Sequence, residues 1–514
     1  MAIAQQQTQR SRTVSGVDAR RQLMRGINAV SDPVASTMGP KGLTVLLRDD
    51  GGTTIATKDG VTVSEAVHPD DPIERMGAEL VRDAARKTAS QAGDGTTTCT
   101  VIAAAMCAQA ERLITSGVEQ SMLRRELPVA CGRLSERLAS LAVPCATLGE
   151  LRSVALIAAN GDATLAEPAA QAVWTAGTAG RITLEDVRTG ITHLETADGL
   201  MVNAELLSNH FANVNGRLAA AGDDAMIVVS RMRLQTFDRL MDAIKLAAER
   251  KCALILLFSD YDQAAFHALV SNRTKAGINI IACKLHRVTH DEVADIAAAV
   301  GAEPFDPDGV VNAICGSVKR FYADRTSVSI VPSDRDRAVA VAERLAATAD
   351  ASLHAQERDA LLARASAAAS KHCVVRVAAP TDAEATERKH RAEDAIAACR
   401  AAMARGLIPG GGAALITALN AVELGDLSRE TASIVRAGAE QPLRTIMANA
   451  GRSFDWFNTA RSATDTCAYD ADADAIVSDA RWLLDPLAVT QHAFENAASV
   501  CRTFVALSSV IYRC

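Results

Sequence analysis

Gly93-Asp94-Gly95-Thr96-Thr97-Thr98 separates two helical patterns. Upstream, from Pro72 to Ser90, Ile73, Met76, Leu80, Val81 and Ala84 recur at helical spacing, with Arg75, Glu79 and Arg82 on the other face. Pro72 suits a first helical position. Downstream, a helix is expected from about Thr97 through Cys107 to Ile114, stopping near Gly117. Within the six residues, two glycines let backbone N–H groups turn toward an anion, and three hydroxyls at a helix N-terminus complete a phosphate nest. Asp94 then stands where it can hold a Mg2+ ion bridging phosphates. An ordinary Gly/Thr helix-capping turn uses the same residues, so the six alone leave both readings open. No G-x-x-x-x-G-K-[ST] occurs anywhere, which excludes a P-loop.

Further pieces lie around this stretch. Thr37-Met38-Gly39-Pro40-Lys41-Gly42 ends the first long helical pattern. Val45-Leu46-Leu47 and Thr54-Ile55-Ala56 read as two short strands joined by a turn at Asp50-Gly51-Gly52, and Thr57-Lys58-Asp59-Gly60 follows the second. In the middle of the chain, Ile227-Val228-Val229, Leu254-Ile255-Leu256-Leu257-Phe258 and Ile278-Asn279-Ile280-Ile281 are short apolar runs, each followed by an amphipathic helical pattern. That alternation predicts an α/β domain with a largely parallel sheet. After about His372, long Ala-rich helices return over Thr381 to Arg405, Ser428 to Ala450 and Val489 to Leu507. Helical at both ends and α/β in the middle, the chain reads as one domain inserted into another. Gly410-Gly411-Gly412 is a loop that permits close approach of a ligand. Asp394 lies off the apolar stripe of Ala392, Ala395, Ile396, Cys399 and Met403, and by itself reads as a solvated carboxylate.

The 514 residues suggest roughly three domains at ~150 residues each. Hydrophobic residues make up 49% but aromatics only 3%, so the cores are built from Ala, Val, Leu and Ile, and base-stacking platforms are not expected. A net charge of −7 gives no pull toward nucleic acid or anionic lipid. No secretory signal is visible at the N-terminus, and no apolar run reaches the ~20 residues of a membrane-spanning helix. Twelve cysteines are scattered singly, with no C-x-x-C pair; a reduced, cytoplasmic setting is expected.

Taken in order, Gly-Pro-Lys-Gly, Lys-Asp-Gly-Val, Gly-Asp-Gly-Thr-Thr-Thr, and an Ala-Glu-Asp-Ala helix running into Gly-Gly-Gly resemble the chaperonins. Leu483-Leu484-Asp485-Pro486 resembles that family's last nucleotide-contacting segment. The resemblance runs from about Val17 to Ser509. Leu207-Ser208-Asn209-His210-Phe211 after Gly199 looks like the group I (GroEL-type) members. The resemblance implies a multidomain α/β fold with a mostly helical equatorial ATPase domain over residues 1–140 and 405–514. A small α+β intermediate domain would span 141–197 and 373–404, and an inserted α/β apical domain 198–372. It implies ATP, Mg2+ and K+ as cofactors, a homo-oligomeric ring of seven, and unfolded proteins as clients. By motif, Asp94 would hold Mg2+, while Gly95, Thr96, Thr97 and Thr98 would bind phosphate. The Thr37-Met38-Gly39-Pro40 turn and Lys58 would border the phosphates and the K+. Asp59 and Asp394 would order and polarise the attacking water, and Gly411 and Asp485 would hold the ribose. Asp470, where the family usually has Asn, would lie near the base. Leu206, Phe211, Met241, Ile244, Phe266 and Val270 would form an apolar rim that traps any unfolded segment without reading its sequence.

Several positions depart from the family pattern. His210 and Ser271 replace apolar rim residues, which bears on docking of a co-chaperonin. Ser370-Lys371 stands at the upper hinge in place of a Gly pair, and Lys284 to His290 lacks the Pro-Gly-Phe-Gly run. Arg452-Ser453-Phe454-Asp455-Trp456 puts Arg and Ser where an acidic pair joins two rings back to back. That change of sign is expected to favour single rings, or a nucleotide-dependent mixture of single and double rings. Such drift fits a diverged paralogue or a virus-encoded member acting in an infected bacterial cell. Two other functions compete: a chaperonin-like scaffold that binds proteins without cycling, and a metabolic ATP-dependent enzyme. Intact phosphate- and water-handling positions oppose the first. Ten scattered His without an H-E-x-x-H or similar pairing oppose the second.

Overall fold

The structure, a computed structural model, describes residues 11–48, 54–177, 181–188, 190–214, 218–275, 277–306, 315–325, 327–352, 355–368, 371–460, 467–477 and 482–513. They form two compact units. One takes the described residues up to Trp174, Arg188–Thr192, and those from Val377 onward; the other takes Thr175–Val187 and His193–Arg376.

The first unit is mainly helical, and both chain ends contribute to it. Leu23, Ile27, Ile102, Met106, Leu127, Ile434 and Phe494, each at most 2% exposed and drawn from five helices, share one core. The Pro72–Ala92 helix starts where Pro72 fits, and Asp71 caps it by accepting from the N–H groups of Ile73 (2.8 Å) and Glu74 (3.1 Å). It crosses the Gly16–Ser36 helix at unusually close range. A Cβ on Gly26 would lie 1.7 Å from the Glu74 carbonyl oxygen, and one on Gly77 would lie 2.1 Å from that of Leu23. The strands Ser11–Ser15 and Ser509–Arg513 pair antiparallel, as do Val45–Arg48 and Thr54–Thr57. The expected turn at Asp50-Gly51-Gly52 lies outside the described residues.

The second unit is built on a seven-stranded sheet. Its order is Leu200–Val202, Val328–Pro332, Gly316–Ala323, Ala220–Val229, Ala253–Phe258, Ile280–Leu285, Ala204–Leu206. Only the pairings of Ala253–Phe258 with its two neighbours are parallel; the other four are antiparallel. The expectation of a largely parallel sheet therefore holds only at the centre. Strands covered on both faces are continuously apolar whichever way they run, so the apolar runs carry no directional signal. Beside the sheet, Asp295 is nearly buried and ties two helices to its own through Arg344 (2.9 Å) and Arg364 (2.8 Å). No disulfide joins any of the eleven described cysteines.

One expectation needs correction. Of the six apolar rim candidates, Leu206 (3% exposed), Phe211 (0%) and Ile244 (3%) are core residues. On the Met241–Arg250 helix, Ala243, Ile244 and Ala247 are buried, while Asp242, Lys245 and Glu249 point to solvent. Helical periodicity finds an apolar stripe without saying which surface covers it, and here the sheet does. Met241, Phe266 and Val270 stay half-buried, and the Phe266 ring meets Phe211 edge-on at 6.0 Å.

Arg452 has partners of its own in the chain. Its guanidinium grips Asp474 (Nε to Oδ1 2.8 Å) and lies 5.4 Å from the Trp456 ring centre. Its charge is thus paired within the chain by an exposed ion pair. The hinge residue Ser370 lies outside the described residues, and Lys371 begins a strand opposite Asp198.

Candidate active site

Every expected nucleotide-contacting residue belongs to the first unit. Gly93 ends the Pro72–Ala92 helix at φ +75°, its N–H returning to the Ala89 carbonyl at 2.8 Å. A Cβ there would sit 2.2 Å from that of Ala397, so the Asp382–Arg405 helix presses directly on the turn. Asp394 is three residues before Ala397 on that helix. Gly95, buried and at φ +90°, starts the Thr96–Thr115 helix. The Cys99 N–H reaches back to Gly95 O at 2.9 Å, leaving the N–H groups of Thr96, Thr97 and Thr98 to head the helix, where an anion is favoured. Gly60 lies against the same turn, since a Cβ on it would fall 2.2 Å from Thr97 Oγ1. The neighbouring Asp59 caps the Gly60–Ala66 helix, accepting from Thr62 N (2.8 Å), Thr62 Oγ1 (2.6 Å) and Val61 N (3.3 Å).

Four carboxylates thus share one field. Burial pushes the Asp94 carboxyl up and nearby Asp59 adds to it, while the Gly95 N–H donated at 2.5 Å opposes the rise. Asp394 is pushed up to about 8, first by burial, then by Asp94 and Asp59. Asp485 is raised to about 6 by burial, with Asp94 adding and the Gly411 N–H at 3.1 Å opposing. Asp394 is therefore no solvated surface carboxylate, as its place off the helix stripe suggested. Crowded like charges of this kind favour a cation. Among the described residues no three His, Cys, Asp or Glu are grouped to chelate a metal alone. That donor set fits Mg2+, which takes one or two carboxylates and completes its shell with phosphate oxygens and water.

A pH dependence follows. In the unfolded chain Asp394 ionises near 3.8, and in the folded chain near 8. Between these values the folded state binds more proton, so stability falls as pH rises through about 8. Without Mg2+ or nucleotide, the thermal midpoint is expected to drop by roughly 3–5 °C from pH 6 to pH 9. Asp394→Asn should flatten that slope; an unchanged slope would contradict the assignment.

At the end of the Gly16–Ser36 helix, Thr37 Oγ1 donates to Val34 O at 2.8 Å, and Gly39 takes φ +81°. Asn449, which sequence reading missed, clamps this turn by donating to both Ala35 O and Met38 O at 2.9 Å. Its only sequence signal is a polar residue at the end of an amphipathic helix. Pro40 and Lys58 flank the turn and the Asp59 cap in sequence, and both keep solvent exposure. Strand Leu407–Pro409 pairs with Leu484–Pro486, placing Ile408 opposite Asp485 and bringing the glycine run onto that carboxylate. Asp470 differs: its Oδ1 accepts from Asp472 N (2.9 Å) and Ala473 N (3.0 Å), so it serves its own hairpin turn. What links that hairpin to the Gly39–Gly42 turn is the Lys41–Asp472 ion pair at 3.6 Å.

The model of the TCP-1/cpn60 chaperonin family matches residues 30–513, and the chain belongs to that family. Among solved structures it is similar to the chaperonin gp146 from the bacteriophage EL 2 (Pseudomonas aeruginosa), determined in the presence of ATP-BeFx in two crystal forms. The identity is 20% in both. One alignment covers 97% of this chain and 98% of gp146 with a TM-score of 0.66; the other covers 97% and 99% with 0.65. The likeness shows a shared multidomain α/β chaperonin fold. No helix among the described residues is long and apolar enough to cross a membrane.

Proposed function

We propose that this chain is an ATP-hydrolysing chaperonin subunit that forms a ring and assists folding of other proteins in the cytoplasm. The observation that carries the reading is the convergence of Asp59, Asp94 and Asp394 on the Gly93–Thr98 turn at a helix N-terminus. Thr96, Thr97 and Thr98 cradle phosphate oxygens, Asp94 holds Mg2+, and the turn at Thr37 with Lys58 borders a K+ ion. Bound Mg2+ supplies neutralisation of phosphate charge. Asp59 and Asp394 orient the attacking water and Asp394 accepts its proton, which suits a reaction governed by positioning and charge. The three-part division into equatorial, intermediate and apical domains, a seven-membered ring and a phage origin like that of gp146 belong to the same proposal. Turnover of ATP that needs both Mg2+ and K+, together with suppressed aggregation of a denatured protein, tests it. No turnover under those conditions overturns it.

Client capture falls to the half-buried residues Met241, Phe266 and Val270 of the second unit. Met241→Ser is expected to weaken binding of a denatured protein while leaving basal ATP turnover unchanged. Ile244→Ser should instead lower stability by about 2–4 kcal/mol, as a truncated core residue does. Urea unfolding of both variants separates the two effects; equal destabilisation would place Met241 in the core.

A further inference from the structure

The geometry points to Asn496 as a positioning residue for the phosphate turn, its side-chain amide fixing the end of the Pro72–Ala92 helix beneath Gly93–Gly95. The inference rests on the nucleotide reading above. Asn496 is 5% exposed, on the Leu487–Ala506 helix. Its amide nitrogen donates to Thr88 Oγ1 at 3.0 Å and to Gln91 Oε1 at 2.9 Å. Thr88 is fully buried, and its hydroxyl donates to Ala84 O at 2.9 Å, so toward Asn496 it can only accept. Thr88 and Gln91 form the last turn before Gly93.

The same helix touches the turn a second time. A Cβ on Gly95 would meet Val489 Cγ1 at 2.8 Å and Thr88 Cγ2 at 3.4 Å. Val489 and Asn496 are two helical turns apart on one face. Hydrocarbon therefore supports Gly95 while the amide holds the helix end beside it.

The chemistry explains why an amide stands here. An apolar residue would leave the buried Thr88 oxygen without its donor. A carboxylate would set acceptor against acceptor and add negative charge to a region that already crowds Asp59, Asp94, Asp394 and Asp485. Asn supplies two donors without charge.

The test is steady-state ATP hydrolysis and equilibrium ATP binding, with Mg2+ and K+, in the full-length parent, Asn496→Leu, Thr88→Val and the double variant. Asn496→Leu is expected to raise KM and Kd about ten-fold, the usual cost of removing a supporting hydrogen bond behind a liganding group, with kcat within about two-fold. Thr88→Val should do the same, and the double variant should lose no more than either alone, because both cut one link. A merely structural role predicts the opposite split: fewer active molecules, hence lower apparent kcat at unchanged KM. That result, or additive losses, overturns the inference. If Asn496→Leu does not fold, Thr88→Val carries the same readout. A parent that neither binds nor hydrolyses ATP removes the nucleotide reading and this inference with it; an active parent with unmoved variants removes this inference alone.

Discussion

Asp394→Ala is expected to bind ATP nearly as well as the parent and to hydrolyse it about 10²-fold more slowly, the usual contribution of a general base. Binding should survive because the N–H groups proposed to meet phosphate head the Thr96–Thr115 helix, which starts at Gly95 and owes nothing to Asp394. Removing one carboxylate from beside Asp94 and Asp59 also relieves like-charge crowding, so affinity can even rise. Hydrolysis should fail because Asp394, once a bound cation offsets the crowding from Asp94 and Asp59 and lets it ionise, is the carboxylate placed to take the proton from water, and alanine has none. Single-turnover hydrolysis alongside equilibrium binding measures both halves. Parent-like turnover would remove Asp394 from its role.

Gly26→Ala is expected to be the most damaging methyl addition in the first unit, costing about 3 kcal/mol or more, at the upper end of overpacking. The new Cβ would lie 1.7 Å from Glu74 O, a backbone atom of a neighbouring helix that no rotamer change can move. The two helices would have to separate, and the reciprocal contact of Gly77 with Leu23 O would open with them. Gly132→Ala is the control: that helical glycine has nothing within 4 Å of the added carbon, so alanine should stabilise by up to about 1 kcal/mol. Equal denaturation midpoints for the two variants would show that the crossing tolerates side chains.

Much of this was legible in the sequence where the signal is local. The Pro72–Ala92 and Thr96–Thr115 helices, the strands around residues 45 and 54, and the late Ala-rich helices follow from periodicity, caps and glycines. The site was legible as separate turns in order. What could not be read depends on long-range contact. Asp394 sits in the site because Ala397 rests on Gly93, a pairing across some three hundred residues that no spacing rule contains. Ile244 lies in the core because a sheet covers its stripe, and Arg452 is neutralised by Asp474, a partner on another turn. Strand direction in the second unit was hidden for the reason that apolar runs are symmetric.

The pairing of Ser11–Ser15 with Ser509–Arg513 has a consequence for biosynthesis. A ribosome releases the Gly16–Ser36, Pro72–Ala92 and Thr96–Thr115 helices long before the Leu487–Ala506 helix that completes their core. At ~5–20 residues per second, the apolar faces of the early helices wait tens of seconds for that partner, while the second unit, emerging in between, has all its strands and can close first. The nascent chain then carries an unsatisfied apolar surface of the kind chaperones bind in any half-made protein.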